Sequence, residues 1–237
     1  MGYIAEGEAI KRGMSTAVEE EPPHSWEVPW HAKVPSLLLI VPITAAFLFF
    51  LLSGALFQGE MFRWGLSGSA LAAGRFETIV THMFAHAGIM HLLMNMAVLQ
   101  AIGGLLTARL GPPPRAWVRF LVLFLLSGLT GAMAYLALHP FGTVPMVGAS
   151  GAIYGLLGAL LRIDRHGERI VPLRSREIGR AALAFVKDNF FLFLMLTLPA
   201  LLTGGRGGVA WEAHLGGFVA GLLLGPLWLV PEPEQSE

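Results

Sequence analysis

Long uncharged stretches alternate with short polar ones along most of the chain. Six apolar stretches are long enough, singly or as halves of a folded-back pair, to cross the roughly 30 Å hydrocarbon core of a bilayer. The pattern predicts an all-α membrane protein, because a helix satisfies its backbone hydrogen bonds internally. We expect six transmembrane helices within residues 34–230, between an N-terminal tail (1–33) and a C-terminal tail (231–237). The predicted crossings are 34–59, 78–108, two within 120–161 that are separated by a break at 139–145, 187–202 and 208–230.

The basic residues predict the orientation of these crossings. All but three of the 16 Lys and Arg residues fall on the side of the N-terminus, and the exceptions are Arg63, Arg75 and Arg206. Short loops rich in Lys and Arg stay in the cytoplasm. Both tails are therefore expected to be cytoplasmic, in agreement with an even number of crossings.

The amino-acid composition of the chain excludes several classes of protein function. Hydrophobic residues make up 54% of the chain and charged residues only 14%, against about 25% charged in ordinary soluble domains. Because 16 basic residues balance 16 acidic ones, a broad nucleic-acid-binding face has no electrostatic basis. The chain has no cysteine, which excludes disulfides, thiolate metal sites and a cysteine nucleophile. Any nucleophile must be an oxygen or a lysine.

Polar side chains are rare in the crossings, and three crossings carry them at one depth. The second carries His91 and Asn95, which are four residues apart and lie on one helix face. The fourth begins with Ser150, and the sixth carries His214. In the predicted topology these three crossings run from the outside to the inside, and each carries its polar side chains in the outer part of the span. The four side chains are therefore expected at one depth in the bundle. Polar groups are costly in hydrocarbon, so this coincidence indicates a functional site.

Glycine spacing predicts that the helices bearing Ser150 and His214 touch each other. Small residues at a spacing of about four form strips that let two helices approach closely in lipid. These strips are Gly151, Gly155 and Gly158 in the fourth crossing and Gly217, Gly221 and Gly225 in the sixth.

Close approach would bring a serine hydroxyl and an imidazole together, the minimum arrangement for nucleophilic catalysis. No carboxylate within a crossing is placed to orient the histidine, so we expect a dyad of Ser150 and His214. Tyr154, one turn after the serine, is expected to pack against the His214 ring. His91 and Asn95 are then free to join the Ser150 backbone N–H as donors to an oxyanion.

Each of these features also has a simpler interpretation. Serine commonly caps a helix, and glycine strips often serve packing alone. His82, His86 and His91 could instead bind a metal or haem, since imidazole is a common ligand. However, His86 and His91 lie about 140° apart on a continuous helix, which disfavours ligation by all three. We therefore expect no metal and no cofactor.

Taken together, the motifs resemble the rhomboid family of intramembrane serine proteases, in its basic bacterial six-span form. The resemblance extends over about residues 34–230 and depends on three motifs that occur in order. They are residues 81–95 with His86, His91 and Asn95, residues 148–155 with Gly148, Ser150 and Tyr154, and residues 213–217 with His214 and Gly217.

The resemblance implies residue roles. Ser150 would be the nucleophile and His214 the general base and acid, with Tyr154 stacked on the imidazole. His91, Asn95 and the Ser150 amide would form the oxyanion hole. Gly148 would line the adjacent pocket, and His86 and Gly217 would support the site.

The resemblance also implies a rhomboid-like bundle in the inner (plasma) membrane that cleaves transmembrane segments of other membrane proteins near the outer face. Its partners would be those substrates and the lipid bilayer, and no oligomeric state is implied. A catalytically inactive rhomboid-like binder of membrane helices is the main alternative. A membrane protein with a His-ligated metal or haem is a more remote one.

Overall fold

The computed structural model describes residues 28–56, 58–164, 167, 169–202 and 208–230. Within these residues every regular element is a helix, and β-type pairing is limited to two isolated bridges, Leu66 with Met146 and Ile163 with Ile170. The all-α prediction is confirmed. Most of the predicted N-terminal tail, the loop at 203–207 and the C-terminal tail lie outside the described residues.

Eight α-helices and three short 3-10 turns make up the described chain. The helices are α1 (Val34–Leu52), α2 (Gly68–Ala72), α3 (Thr78–Thr81), α4 (Ile89–Ala108), α5 (Arg115–Leu138), α6 (Ser150–Leu160), α7 (Arg176–Leu202) and α8 (Trp211–Leu224). The 3-10 turns are Trp30–Lys33, Glu60–Trp64 and Gly225–Leu227.

Three helical segments in the described residues are long and apolar enough to cross a membrane: Trp30–Leu52, Ile89–Ala108 and Arg115–Leu138. Helix α6 is apolar but has only 11 residues, a length of about 16 Å at 1.5 Å per residue. It packs against α4, α5 and α8 and is thus the central helix of the bundle. The apolar core of the bundle includes four fully buried side chains, one each from α1, α4, α5 and α6: Phe47, Leu99, Leu123 and Leu156.

The second predicted crossing is not one continuous helix, and here the sequence prediction was wrong. Helix α3 ends at Thr81, and α4 begins only at Ile89. A physical reason lies in a tertiary contact, because the His82 carbonyl accepts a hydrogen bond of 2.8 Å from the Gly148 N–H. The break brings the rings of His86 and His91 to 5.0 Å, although a continuous helix would place them on different faces.

Other helix ends also differ from the predicted crossings. Helix α1 ends at Leu52, before Gly54 with its left-handed φ of 75°, rather than at residue 59. Helix α7 begins at Arg176 rather than near 187, because the Ser175 hydroxyl accepts from the Ile178 N–H at 3.1 Å and caps its first turn. Helix α8 ends before Pro226, which cannot continue an α-helix.

Helices α6 and α8 meet backbone to backbone, as the glycine spacing predicts. A methyl group on Gly217 would overlap the Gly151 carbonyl, and one on Gly221 would overlap the Gly155 carbonyl. At the other end of the pair, the buried Arg162 donates to the carbonyls of Val171 and Leu222. The relative position of α6 and α8 is therefore fixed along their whole contact.

Candidate active site

The glycine contact between α6 and α8 brings together the two residues singled out by sequence. Ser150 is the first residue of α6, and His214 lies in the first turn of α8. The His214 Nε2 atom is 2.8 Å from the Ser150 Oγ atom, within hydrogen-bond distance. His214 is buried, and the predicted proximity of these two side chains is confirmed.

Tyr154 covers one face of the His214 ring. The two ring centroids are 4.4 Å apart, with 30° between the ring planes. Tyr154 lies one helical turn after Ser150, so α6 presents the hydroxyl and the aromatic ring on the same side. The predicted packing of Tyr154 on the imidazole is confirmed.

Asn189 of α7 is a second polar contact of the histidine, and sequence reasoning missed it. Its Oδ1 atom is 2.7 Å from His214 Nδ1. Its Nδ2 atom donates to the Phe185 carbonyl at 2.9 Å and to the Tyr154 hydroxyl at 3.3 Å. The sequence carries a signal for this contact, because an amide oxygen at the start of the predicted fifth crossing can accept from an imidazole N–H as a carboxylate does.

Gly148 adjoins the serine in a conformation that favours glycine. Its φ is 118°, in a region that residues with a Cβ rarely adopt. A Cβ there would also lie 2.7 Å from the ring of His91 and 3.8 Å from Ser150 Oγ. Gly148 therefore lets the His91 imidazole pack against the backbone two residues before the serine.

His91 and Asn95 lie on one face of α4, as predicted, and the His91 ring lies beside this glycine. The Asn95 Nδ2 atom donates to the His91 carbonyl at 2.8 Å, which leaves its second N–H available. The His91 Nδ1 atom accepts from the Ala87 N–H at 3.4 Å. The neutral ring then carries its proton on Nε2, the nitrogen 2.8 Å from where a Cβ of Gly148 would be.

His86 lies behind His91 and is fully buried. Neither of its ring nitrogens has a hydrogen-bond partner among the described residues. Among all the residues that the structure describes, no three His, Cys, Asp or Glu side chains lie close enough together to hold a metal ion. Gly217, the other supporting residue named from the sequence, contacts Gly151 directly after the serine.

The non-helical segment that leads to Gly148 is held by a short backbone pairing. Leu66 and Met146 exchange hydrogen bonds of 2.9 and 2.8 Å between their N–H and carbonyl groups. Both side chains are buried together with Tyr135 and Ala213. This pairing anchors the non-helical segment before Ser150, and the contact of Gly151 with Gly217 anchors the residue after it. The start of α6 is therefore held on both sides of Ser150 in the chain.

The described residues thus form an all-α membrane protein with a half-buried serine beside a buried histidine. Comparison with known families identifies the class to which such a protein belongs. The family model described as Rhomboid domain matches residues 73–230. This chain therefore belongs to the rhomboid family, as the motifs predicted.

Curated relatives agree with this assignment. The chain is 32% identical over 158 residues to "Rhomboid protease GluP" of Bacillus subtilis (strain 168), which covers 66% of this chain and 28% of that protein. It is 33% identical over 147 residues to "RHOMBOID-like protein 5" of Arabidopsis thaliana, covering 62% and 42% of the two chains. It is also 33% identical over 156 residues to "Rhomboid-like protease 5" of Toxoplasma gondii, covering 64% and 16%. The matched region thus spans less than half the length of these three relatives.

Proposed function

We propose that this chain is an intramembrane serine endopeptidase that cleaves transmembrane segments of other membrane proteins. The observation that carries the proposal is the 2.8 Å contact between Ser150 Oγ and His214 Nε2 in a chain of the rhomboid family. Relatives named as proteases support the reaction class. The reaction needs no cofactor, because a hydroxyl and an imidazole supply the nucleophile and the base.

In the proposed reaction, Ser150 Oγ attacks the carbonyl carbon of the scissile peptide bond while His214 Nε2 takes the hydroxyl proton. The tetrahedral intermediate collapses as the imidazolium donates this proton to the leaving nitrogen, and the C–N bond breaks. A water molecule then attacks the ester formed on Ser150. His214 accepts a proton from the water and returns one to the serine oxygen.

The oxyanion of this intermediate would be bound by His91, Asn95 and the backbone N–H of Ser150. The Ser150 N–H is at the first position of α6, where amides have no partner within the helix and the helix dipole favours negative charge. Asn95 retains a free N–H, and the geometry around His91 favours a proton on Nε2. Donors of this kind stabilise the transition state where charge develops.

The proposal includes six crossings, cytoplasmic termini and the inner (plasma) membrane as location. The length of α6 supports its place as one of these crossings. A helix of about 16 Å is shorter than the hydrocarbon core, so α6 begins well inside the bilayer. Non-helical backbone at such depth is tolerated where it lines a water-filled cavity. The segment before Ser150 is non-helical and would line such a cavity. Water for hydrolysis would reach the serine from the outer side.

Labelling with a fluorescent fluorophosphonate tests this function, because the probe reports an activated serine and needs no known substrate. We expect the purified wild type to be labelled, and Ser150→Ala and His214→Ala each to lose labelling. Ser127→Ala is the matched control, since this buried serine lies on α5 outside the proposed site, and it should label like the wild type.

The alternatives make different predictions in the same preparation. A folded wild type that stays unlabelled, while a known rhomboid protease is labelled, would favour an inactive binder of membrane helices. Bound metal or a haem absorbance band would favour the His-ligated alternative. Either result would contradict the proposed hydrolysis.

A further inference from the structure

We propose that Asn189 is a positioning residue that selects the tautomer of His214 required for the proposed hydrolysis. The inference rests on the proposed function and extends the Ser150–His214 pair to a group built from three helices. It follows from the hydrogen-bond chemistry of one buried amide.

The contact with Phe185 determines which way the Asn189 amide faces. Asn189 Nδ2 is 2.9 Å from the Phe185 carbonyl oxygen, one turn earlier on α7. A carbonyl oxygen can only accept a hydrogen bond, so the NH₂ group of the amide must face it. The amide oxygen therefore faces His214 Nδ1, at 2.7 Å.

This orientation determines where the imidazole carries its proton. Because the amide oxygen can only accept, Nδ1 of His214 must be the protonated nitrogen. A neutral imidazole has a single N–H, so Nε2 presents a lone pair to Ser150 Oγ at 2.8 Å. The serine O–H then donates to Nε2, which is the direction of transfer that a general base requires.

The position of Asn189 on α7 supports a specific role. It is buried, whereas Val186 and Phe190 on the same helix are 60% and 66% exposed. Among the α7 side chains that the structure describes, Asn189 is the buried polar one. Without it, the imidazole could place its proton on Nε2, donate to the serine and lose its function as a base.

Two substitutions at Asn189 separate positioning from packing. Asn189→Leu keeps the number of side-chain heavy atoms and the branch at Cγ but removes the acceptor. We expect the rate of fluorophosphonate labelling and kcat for a transmembrane substrate to fall about tenfold, with KM unchanged. Asn189→Asp keeps an oxygen that accepts from Nδ1. In the protonated form of this carboxyl, the O–H group donates to the Phe185 carbonyl in place of the amide N–H. We expect this variant to keep at least about half of the wild-type rate. Val186→Ala, on an exposed position of α7, is the matched control.

Thermal unfolding in the same detergent shows whether each variant is folded. Wild-type labelling in a folded Asn189→Leu protein would overturn the inference and leave the proposed function intact. If Asn189→Leu does not fold, Asn189→Asp decides: a folded variant labelled at a tenth of the wild-type rate or less also overturns the inference. An unlabelled wild type would instead contradict the proposed function itself.

Discussion

The α6–α8 contact and helix α7 form two sides of the same site in different ways. Helices α6 and α8 touch through their backbones, and a methyl group on Gly217 would overlap a carbonyl. Helix α7 approaches through side chains, with Phe185 stacked on Phe218 at 4.6 Å and Asn189 bonded to His214. The Ser150–His214 pair is therefore fixed by backbone contacts, while the contact of Asn189 with His214 depends on side-chain packing.

The largest effect should come from adding one methyl group to the α6–α8 contact. Gly217→Ala forces the two backbones apart, so we expect the free energy of unfolding to fall by about 3 kcal/mol and labelling of Ser150 to be lost. Gly179→Ala on α7 is the matched control, because no described atom lies within 4 Å of the added methyl. The control should be more stable by about 0.5 to 1 kcal/mol. Equal unfolding midpoints for the two variants would contradict the comparison.

A smaller effect is expected at Tyr154 of α6, because this residue contacts both His214 on α8 and Phe185 on α7. Tyr154→Leu removes the ring that stacks on His214 and contacts Phe185, and aromatic pairs contribute about 0.5 to 1.5 kcal/mol. The labelling rate should fall about twofold to tenfold. Tyr154→Phe keeps the stacked ring and should keep most of this rate. If the Phe variant is as slow as the Leu variant, the hydroxyl matters rather than the stacking.

The smallest effect should come from the exposed face of α7, where Phe190 and Phe191 are 66% and 62% exposed. We hypothesise that a transmembrane substrate enters beside this helix. Phe190→Ala and Phe191→Ala should then change the cleavage rate of such a substrate by about threefold. Labelling by the small fluorophosphonate should stay the same. Unchanged cleavage in both variants, compared with Val186→Ala, would rule out entry at this face.

The site elements that follow from helical periodicity could be predicted from sequence. Ser150 and Tyr154 share a face because they are four residues apart, and the glycine strip containing Gly217 indicates the face of α8 that meets α6. Both inferences use only geometry within a helix. They therefore hold without knowledge of the loops.

The elements that depend on contacts between distant segments could not be predicted. The break after His82 depends on a hydrogen bond from Gly148, more than 60 residues later in the chain. The contact of Asn189 with His214 depends on the rotation of α7 about its axis. This rotation is set by the packing of Phe185 against Tyr154 and Phe218, and no glycine strip on α7 marks its inner face in the sequence.

The glycine contact between α6 and α8 also has a consequence for conformational entropy. Burying a long side chain restricts its rotamers at a cost of up to about 2 kcal/mol, whereas glycine and alanine have no such freedom to lose. At Gly151, Gly217 and Gly221 the helices meet without ordering any side chain. Ser150 and His214 are thus held together by a surface that has no alternative rotamers, so heating the protein cannot loosen this contact by side-chain motion alone.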